Sequence, residues 1–305
     1  MSPSNDRILP GVALMIAFCI IAPMIDASAK LAAASLSVGQ ITGARFLVQA
    51  ALMAPIVTAL GHGFRLAPRA LGLTVLRAVF LILSTFTFVS AVAVMPIADA
   101  LAIAFVEPFI LLLLGWAIFG EAVGPRRILA CAVGFGGALF VIRPSLTIFG
   151  PVALYPLGTA FSFAAYMLVT RVLSREVHPV PMQFHPALLG FAICAPILLL
   201  AQAGGPASLA LAMPEGAAWG YLFGVGLAST VSHMAITFAL KFAPSATLAP
   251  LHYTEIVSAV FLGYLIFGDF PSLMTWIGIA LISASGLYVI HRERQLSRRI
   301  QVPVP

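Results

Sequence analysis

The sequence predicts an all-α integral membrane protein with ten transmembrane helices, arranged as two inverted five-helix repeats. Its composition, its apolar runs and an internal repeat lead to this prediction. Of the 305 residues, 61% are hydrophobic and 9% are charged, and the mean hydropathy is +1.08. Soluble domains are about 45–50% apolar and about 25% charged. A soluble chain this apolar would expose large apolar patches and aggregate. The composition therefore excludes a soluble domain, and it excludes a disordered chain, which would be rich in charge.

The apolar runs give the number of helices. A transmembrane helix needs about 20 apolar residues, and the runs are separated by clusters of Gly, Pro and charged residues that favour turns. The runs are long and do not alternate as the strands of a membrane barrel would. We expect ten spans near residues 10–33, 38–60, 69–94, 96–119, 126–143, 151–174, 183–203, 216–240, 244–267 and 272–291.

The positions of Lys and Arg predict the orientation. Cytoplasmic segments of membrane proteins are enriched in these residues. With a cytoplasmic N-terminus, only Arg143 falls in an outer loop, and eleven basic residues fall inside. We therefore expect both termini in the cytoplasm, and the net charge of +6 needs no nucleic-acid partner. The eleven residues are Arg7, Arg65, Arg69, Arg126, Arg127, Arg175, Lys241, Arg292, Arg294, Arg298 and Arg299.

The first apolar run imitates a secretory signal peptide. Arg7 precedes the run, and the small residues Ala-Ser-Ala follow at positions 27–29. Cleavage there would leave nine spans and place the basic loops inconsistently. We therefore expect this run to remain as the first transmembrane helix.

A single internal repeat divides the chain. Residues 96–142 align with residues 244–290 at a constant shift of 148 residues and without a gap. The alignment pairs Pro96 with Pro244, Glu107 with Glu255, and the sequence IFGE at 118–121 with IFGD at 266–269. We expect repeats over about 1–146 and 147–305. Because five spans is an odd number, the second repeat inserts upside down, an arrangement typical of secondary transporters with a site near the membrane midplane.

Several motifs add a family resemblance. They are Arg-Phe at 45–46, the series Pro96, Glu107 and Pro108, and the Gly-Glu pair at 120–121. With the repeat, they resemble the EamA type of the drug/metabolite transporter superfamily over nearly the whole chain, and most closely its bacterial aromatic-amino-acid exporter branch. The second half departs from the pattern, because Ile256 replaces the proline after the glutamate and Asp269 replaces the second glutamate.

The resemblance implies a function and an architecture. It implies a secondary transporter of the bacterial inner membrane that exports amino acids or similar small metabolites by alternating access. Spans 1, 3, 4, 6, 8 and 9 would surround a central cavity. The expected partners are the small-molecule substrate, the lipid bilayer and, under coupled transport, protons.

Two glutamates are the strongest candidates for substrate binding or coupling. Glu107 lies 11 residues after Pro96, which is about 16 Å along a helix and near the midplane. Glu255 lies at the equivalent depth of the second repeat. An ionisable group there is costly and faces protein or a water-filled cavity. We expect a pair that carries protons or recognises cations, and a structural hydrogen bond to a neighbouring helix is an equal alternative.

Prolines mark the helices that we expect to line the cavity. Pro108 cannot donate a backbone hydrogen bond and so frees the carbonyl of Ala104. Pro250 and Pro23 have the same effect in spans 9 and 1. Interrupted helices at membrane depth are tolerated where they line a cavity, although proline is also common in membrane helices generally.

Two histidines and a tyrosine accompany the glutamates. His252 and Glu255 are three residues apart and share a helix face, and Tyr253 is adjacent. His233 lies centrally in span 8. Histidine titrates near neutral pH, so these residues suit a proton relay, and buried packing histidines are the alternative.

A second set of polar residues lies in spans 1, 2 and 4. Asp26 and Lys30 are four residues apart with the acid first, the favourable order for an ion pair. We expect this pair to neutralise itself, with substrate contact as the alternative, and Arg45 could complete the network. Asp99 is one turn inside span 4, where an interfacial role is favoured.

Aromatic side chains complete the candidate site. Phe86, Phe163 and Tyr166 lie in spans 3 and 6 and could hold an apolar or aromatic part of a substrate. The alternative is ordinary packing, because Phe is abundant, with 22 residues in this chain.

The remaining functions are less favoured. The alternatives are a facilitative or proton-coupled transporter of another metabolite or a drug-like cation, a passive pore and an intramembrane enzyme. An enzyme is not expected, because motifs such as His-Glu-x-x-His are absent. The three cysteines lie inside spans without metal-binding spacing, so we expect no cofactor and no metal.

Overall fold

The computed structural model describes residues 8–61, 66–120, 123–174, 176–243 and 245–300, and within them every side chain except those of 245, 246, 249, 250 and 293–300. Five residues named above lie outside these ranges: Arg7, Arg65, Glu121, Arg175 and Pro244. The side chains of Ala246, Pro250, Arg294, Arg298 and Arg299 are likewise not described.

Within the described residues all regular secondary structure is helical and no strand occurs, which confirms the all-α prediction. Among the same residues, two short 3-10 helices lie at Gly150–Leu154 and Ala207–Leu209. The α-helices are α1 Ile8–Ala32, α2 Val38–Ala59, α3 Pro68–Val92, α4 Ile97–Ala104, α5 Glu107–Phe119, α6 Pro125–Phe149, α7 Tyr155–Leu173, α8 Pro179–Ala201, α9 Ala218–Phe242, α10 Ser245–His252, α11 Thr254–Phe267 and α12 Leu273–Ile300.

The lengths of the helices agree with a membrane protein. Across the described residues, 8 helical stretches are long and apolar enough to cross a bilayer. One of them, Pro125–Leu173, spans 49 residues and contains both α6 and α7. The apolar helix α11 is shorter and follows α10 after one residue. The chain is therefore a multi-helix membrane protein, and the count of ten spans stays a prediction.

Contacts between the ends of helices define two ends of the bundle. At one end, which we call the Lys30 end, Lys30 at the end of α1 contacts Met95 and Asp269. The opposite end, which we call the Arg171 end, holds the start of α1, where a Cβ on Gly11 would lie 2.6 Å from the Cβ of Ala243 after α9. Arg171 at the end of α7 also lies at this end, over the ring of Phe119.

Small residues let the helices approach closely. A Cβ added to Gly134 of α6 would collide with the ring of Phe109, and one added to Gly190 of α8 would collide with the ring of Phe46. Between α6 and α12 the contact is backbone to backbone, because a Cβ on Gly278 would lie 2.8 Å from the carbonyl oxygen of Gly137. Glycine is thus required at these positions by packing.

Two helices are interrupted at equivalent positions of the repeats. Phe105 and Val106 separate α4 from α5, and Tyr253 separates α10 from α11. At the shift of 148 residues Phe105 aligns with Tyr253, so Glu107 and Glu255 both lie in the first turn after a break.

The prolines relate to these breaks in different ways. The break predicted from Pro108 is present, because α4 ends at Ala104 and Pro108 lies in the first turn of α5. The second break comes at Tyr253, after α10 has continued through Pro250. Helix α1 runs unbroken through Pro23, because a proline near the middle of a long packed helix can be accommodated by its neighbours.

Candidate functional site

A cavity of about 160 Å³ lies at the level of the two breaks. It is lined by α1, α3, α7 and α9 together with both interrupted helices, α4–α5 and α10–α11. These are the units that the resemblance implies as cavity walls, and α2 adds one further residue, Arg45. The polar residues of the wall are Asp26, Arg45, Ser84, Thr85, Glu107, Thr159, His233, His252 and Glu255.

His252 and Glu255 form a contact across the break between α10 and α11. The Nε2 atom of His252 lies 2.9 Å from Oε2 of Glu255. The rings of Phe18 and Phe105 lie 5.4 Å and 5.2 Å from the imidazole. The two aromatic rings pack against the imidazole and hold it in place, so the Glu255 carboxyl has a fixed partner.

The other two carboxyls of the cavity have no such partner. Asp26 and Glu107 both line the cavity, and neither forms a hydrogen bond or an ion pair with the described residues. Burying a charge without a partner is costly. These two carboxyls are therefore available to a ligand or to a proton.

Arg45 brings a positive charge to the same wall. It donates one hydrogen bond to the hydroxyl of Thr85, and its other terminal nitrogen lies 3.4 Å from Nε2 of His233. The Nε atom of Arg45 and the Nδ1 atom of His233 are buried and have no partner among the described groups. The guanidinium thus keeps an unused donor, and planar guanidinium groups match carboxylates well.

Phenylalanine rings form the apolar part of the wall. Phe163 lines the cavity, as predicted, together with Phe18, Phe88 and Phe105. Phe86 does not line the cavity. The face of α3 that lines it carries Leu81, Ser84, Thr85, Phe88 and Val89, and residue 86 lies on another face of the helix.

Tyr166 and Tyr253 lie outside the cavity wall. Tyr166 stacks on Phe163 at 5.2 Å between ring centroids and accepts a 2.5 Å hydrogen bond from Arg77. Tyr253 packs its buried hydroxyl against α12, where a Cβ on Gly286 would collide with the tyrosine oxygen. Both residues support the wall from behind.

The prediction of an ion pair between Asp26 and Lys30 is wrong. Lys30 Nζ lies 2.6 Å from Oδ2 of Asp269 and 3.1 Å from the carbonyl oxygen of Met95. The long lysine side chain at the end of α1 reaches the loop after α11, which brings a carboxylate from the second repeat. The spacing of residues within α1 cannot indicate that Asp269, from a distant part of the chain, competes with Asp26 for Lys30.

Asp99 lies outside the cavity wall and contacts α12 instead. Its Oδ1 atom accepts a 2.9 Å hydrogen bond from Thr275 at the start of α12. This agrees with the expected position near the helix start. The cavity wall includes residues that were not predicted from the sequence, among them Phe18, Ser84, Thr85 and Thr159. Of these four, only Ser84 and Thr85 carry a signal, because they lie one helical turn from Leu81 and from Phe88 on the same face of α3.

No group of three metal-binding side chains occurs among the described residues. Cys19, Cys131 and Cys194 are buried as free thiols. Within the part of the chain that is described, the site is therefore one of carboxyl, imidazole, guanidinium and aromatic groups.

Comparisons with known proteins identify the class. The profile of the EamA-like transporter family matches residues 9–143 and again residues 150–291. A riboflavin transporter of Rhizobium johnstonii is 30% identical over 73% of this chain and 71% of its own length. An S-adenosylmethionine uptake transporter of Rickettsia prowazekii is 23% identical over 97% of both chains.

One solved protein structure has the same fold. It covers 98% of this chain and 99% of its own, with a TM-score of 0.63 and 18% sequence identity. The two relatives above are named for riboflavin and S-adenosylmethionine, so they do not support the finer resemblance to aromatic-amino-acid exporters. The prediction that the chain is not an enzyme is confirmed by the family. The chain belongs to the EamA-like transporter family and is a multi-pass membrane transporter.

Proposed function

We propose that the protein is a secondary transporter that carries a ring-bearing small metabolite across the bacterial inner membrane by alternating access. The observation that carries this proposal is the central cavity, to which both interrupted helices contribute a carboxyl in the first turn after the break. Transporters bind substrates at such interruptions between repeats.

The proposal includes ten spans in two inverted repeats, 1–146 and 147–305, with both termini cytoplasmic. Two separate family matches, at 9–143 and 150–291, support this division. The equivalent breaks at Phe105 and Tyr253 support it as well. Counting α4–α5 and α10–α11 as one unit each gives five units in each repeat.

The wall chemistry suits a substrate that combines a ring with charged groups. Phe88, Phe105 and Phe163 offer aromatic faces. We place a cationic amino group near Glu107 and Asp26, and a carboxylate near Arg45. An apolar cavity of about 150 Å³ holds a benzene ring, so this cavity accommodates one ring as it stands and must widen for a larger substrate.

Three substrates follow as candidates. Aromatic amino acids, whose export the family resemblance implies, and S-adenosylmethionine carry a ring, an amino group and a carboxylate. Riboflavin carries a ring system and hydroxyl groups without a permanent charge, and a relative named for it is 30% identical to this chain. A drug-like cation is the further candidate, because the cavity holds three carboxyls against one guanidinium.

Protons are the proposed coupling ion. Glu107 from the first repeat and Glu255 from the second line the same cavity. The other titratable or charged groups of its wall are Asp26, His252, His233 and Arg45. A proton taken up by Glu107 would remove the need for a cationic partner there. Release of substrate and binding of a proton would then alternate at the same carboxyl.

The test is transport by the purified protein in liposomes. Labelled riboflavin, S-adenosylmethionine, tryptophan and phenylalanine are supplied in turn, with and without an imposed pH gradient. Saturable transport of at least one ring-bearing compound, accelerated by the gradient, is the expected result. Saturable transport that ignores the gradient would reduce the mechanism to facilitated diffusion, and transport of none of them would overturn the proposed substrate class.

A further inference from the structure

We infer that Lys30 and Asp269 form a gate that closes the Lys30 end of the central cavity, and that this ion pair must break in each transport cycle. The inference rests on the proposed function, because a gate requires a substrate path. It concerns residues that lie outside the cavity wall.

The geometry of Lys30 is that of a side chain held from several directions. Its Nζ atom lies 2.6 Å from Oδ2 of Asp269 and donates a 3.1 Å hydrogen bond to the carbonyl oxygen of Met95. The same atom lies 4.6 Å from the centroid of the Phe267 ring. The ammonium group therefore joins α1 to the turn before α4 and to the end of α11.

These contacts join the two repeats. Lys30 and Met95 belong to the first repeat, and Phe267 and Asp269 belong to the second. Helices α1 and α11 also pack against each other. A relative movement of the repeats that opened this end would have to separate the ammonium from the carboxylate.

The pair lies directly beyond the cavity. Asp26, which lines the cavity, precedes Lys30 by four residues on α1, which is about 6 Å of helix rise. Ile25 lines the cavity one residue earlier. The Lys30 ammonium is thus placed within about one helical turn of the cavity wall, between the cavity and the end of the bundle.

The burial of the pair separates it from an ordinary surface ion pair. The side chains of Lys30 and Asp269 are 17% and 28% exposed. Those of the pair formed by Arg69 and Glu176 are 76% and 38% exposed, at a longer distance of 3.7 Å. Taking two charges out of water costs nearly what their attraction returns. Such a pair can therefore exist in two states, one closed with the ions in contact and one open with both ions hydrated. A bound ligand can shift the equilibrium between these states.

The repeat supplies an independent observation. At the shift of 148 residues Phe119 aligns with Phe267, and each is followed by a glycine in the left-handed conformation, with φ of 66° at Gly120 and 72° at Gly268. The guanidinium of Arg171 lies over the Phe119 ring at 5.6 Å. The same arrangement of a cation on a ring therefore occurs at both ends of the bundle, as expected for a device built into an inverted repeat.

The experiment measures how accessible the cavity is from the Lys30 end, in full-length protein in membrane vesicles. Cys19, Cys131 and Cys194 are replaced by alanine, and Ser84→Cys places a thiol in the cavity wall. A membrane-impermeant thiol reagent is added to one side. A separate Ser35→Cys variant, in the exposed loop after α1, shows which vesicles present the Lys30 end to the reagent.

Neutralising the pair should open this end. Lys30→Gln and Asp269→Asn should each raise the labelling rate of residue 84 from the Lys30 end by about tenfold or more, because removing one partner leaves the other charge largely buried without its counter-ion. The exchanged variant, Lys30→Asp with Asp269→Lys, should return the rate to within about threefold of the parent. Arg69→Gln is the matched control and should leave the rate unchanged.

The outcomes are decisive in both directions. An unchanged labelling rate in both single variants, with normal expression, would overturn the gate. An exchanged variant as accessible as the single variants would also overturn it. If a single variant fails to fold, the charge-preserving variants Lys30→Arg and Asp269→Glu take its place. The gate then requires that these variants label residue 84 at a rate different from that of the parent. Because labelling needs no substrate, it tests the gate separately from the transport assay. An unchanged labelling rate overturns the gate, whereas transport of none of the tested compounds overturns the proposed substrate class.

Discussion

His252 and Glu255 meet at 2.9 Å across the interruption between α10 and α11, whereas Glu107, at the equivalent position of the first repeat, has no hydrogen-bond partner among the described residues. The two glutamates are therefore alike in position and unlike in environment. Coupling needs one group that can change its protonation and one that holds the site together. We assign the first role to Glu107 and the second to Glu255.

The first prediction separates these two roles. Glu107→Gln should abolish the acceleration of transport by a pH gradient, because glutamine cannot bind or release the proton. Substrate exchange without a gradient should continue at a rate within about tenfold of the parent, since the shape of the side chain is kept. Transport by Glu107→Gln that still responds fully to the gradient would remove Glu107 from the coupling mechanism.

The companion variant Glu255→Gln should act differently. It breaks a buried contact and leaves the imidazole of His252 without its carboxylate, so we expect a transport rate at least about tenfold lower with and without a gradient. Glu176→Gln is the control, since that carboxylate belongs to an exposed pair. Equal behaviour of Glu255→Gln and the control would refute a role in the site.

A second prediction tests the proposed carboxylate contact at Arg45. Arg45→Lys keeps the charge and loses the planar fork, so the KM for tryptophan or S-adenosylmethionine should rise by about tenfold. The KM for riboflavin, which has no carboxylate, should change by less than about threefold. Equal changes for all substrates would show that Arg45 holds the wall together through Thr85 and His233 and does not select the substrate.

A third prediction concerns the two stacked rings of α7. Phe163→Leu should raise KM for the transported ring-bearing compound, because Phe163 lines the cavity. Tyr166→Phe keeps the ring and removes the hydroxyl that accepts from Arg77, so it should lower stability by about 1–3 kcal/mol and leave KM unchanged. KM values and thermal unfolding in detergent distinguish these effects, and a raised KM in Tyr166→Phe would place its hydroxyl in the binding site.

A fourth prediction concerns packing on α6. Gly134→Ala places a methyl group against the ring of Phe109, and such overpacking typically costs about 1–3 kcal/mol. Gly136→Ala is the matched control on the same helix, because a Cβ there meets nothing within 4 Å. The control should be neutral or stabilising, since alanine favours helix more than glycine does. Equal melting temperatures for the two variants would contradict the packing described between α5 and α6.

The sequence was sufficient for the helical membrane class, since composition alone excludes the soluble classes. It also located the break at Pro108 and the cavity residues Glu107, Glu255, His252, His233, Asp26 and Phe163. The five ionisable residues among these are recognisable because an ionisable group in an apolar run must face protein or a water-filled cavity. Phe163 was assigned by its residue type. The repeat also predicted that the two glutamates occupy equivalent positions, and both lie in the first turn after a helix break.

The sequence was insufficient for contacts between distant helices. The partner of Lys30 is Asp269, 239 residues away, and no local spacing points to it. The second break lies at Tyr253 instead of following directly from Pro250, because the packing of the helix end decides where the helix stops. Phe86 and Tyr166 were assigned by their residue type, and the direction of each side chain depends on helix rotation, which a uniformly apolar helix does not reveal.

The central claim is alternating access through one cavity, and counterflow tests it most directly. Liposomes that contain the protein are loaded with a high concentration of unlabelled substrate, and uptake of a trace of labelled substrate is followed against unloaded liposomes. A carrier that exposes its site to one side at a time should take up the label several-fold faster in the loaded liposomes, because the returning site is occupied. Uptake that is unaffected by loading and proportional to substrate concentration would contradict alternating access and would indicate a pore.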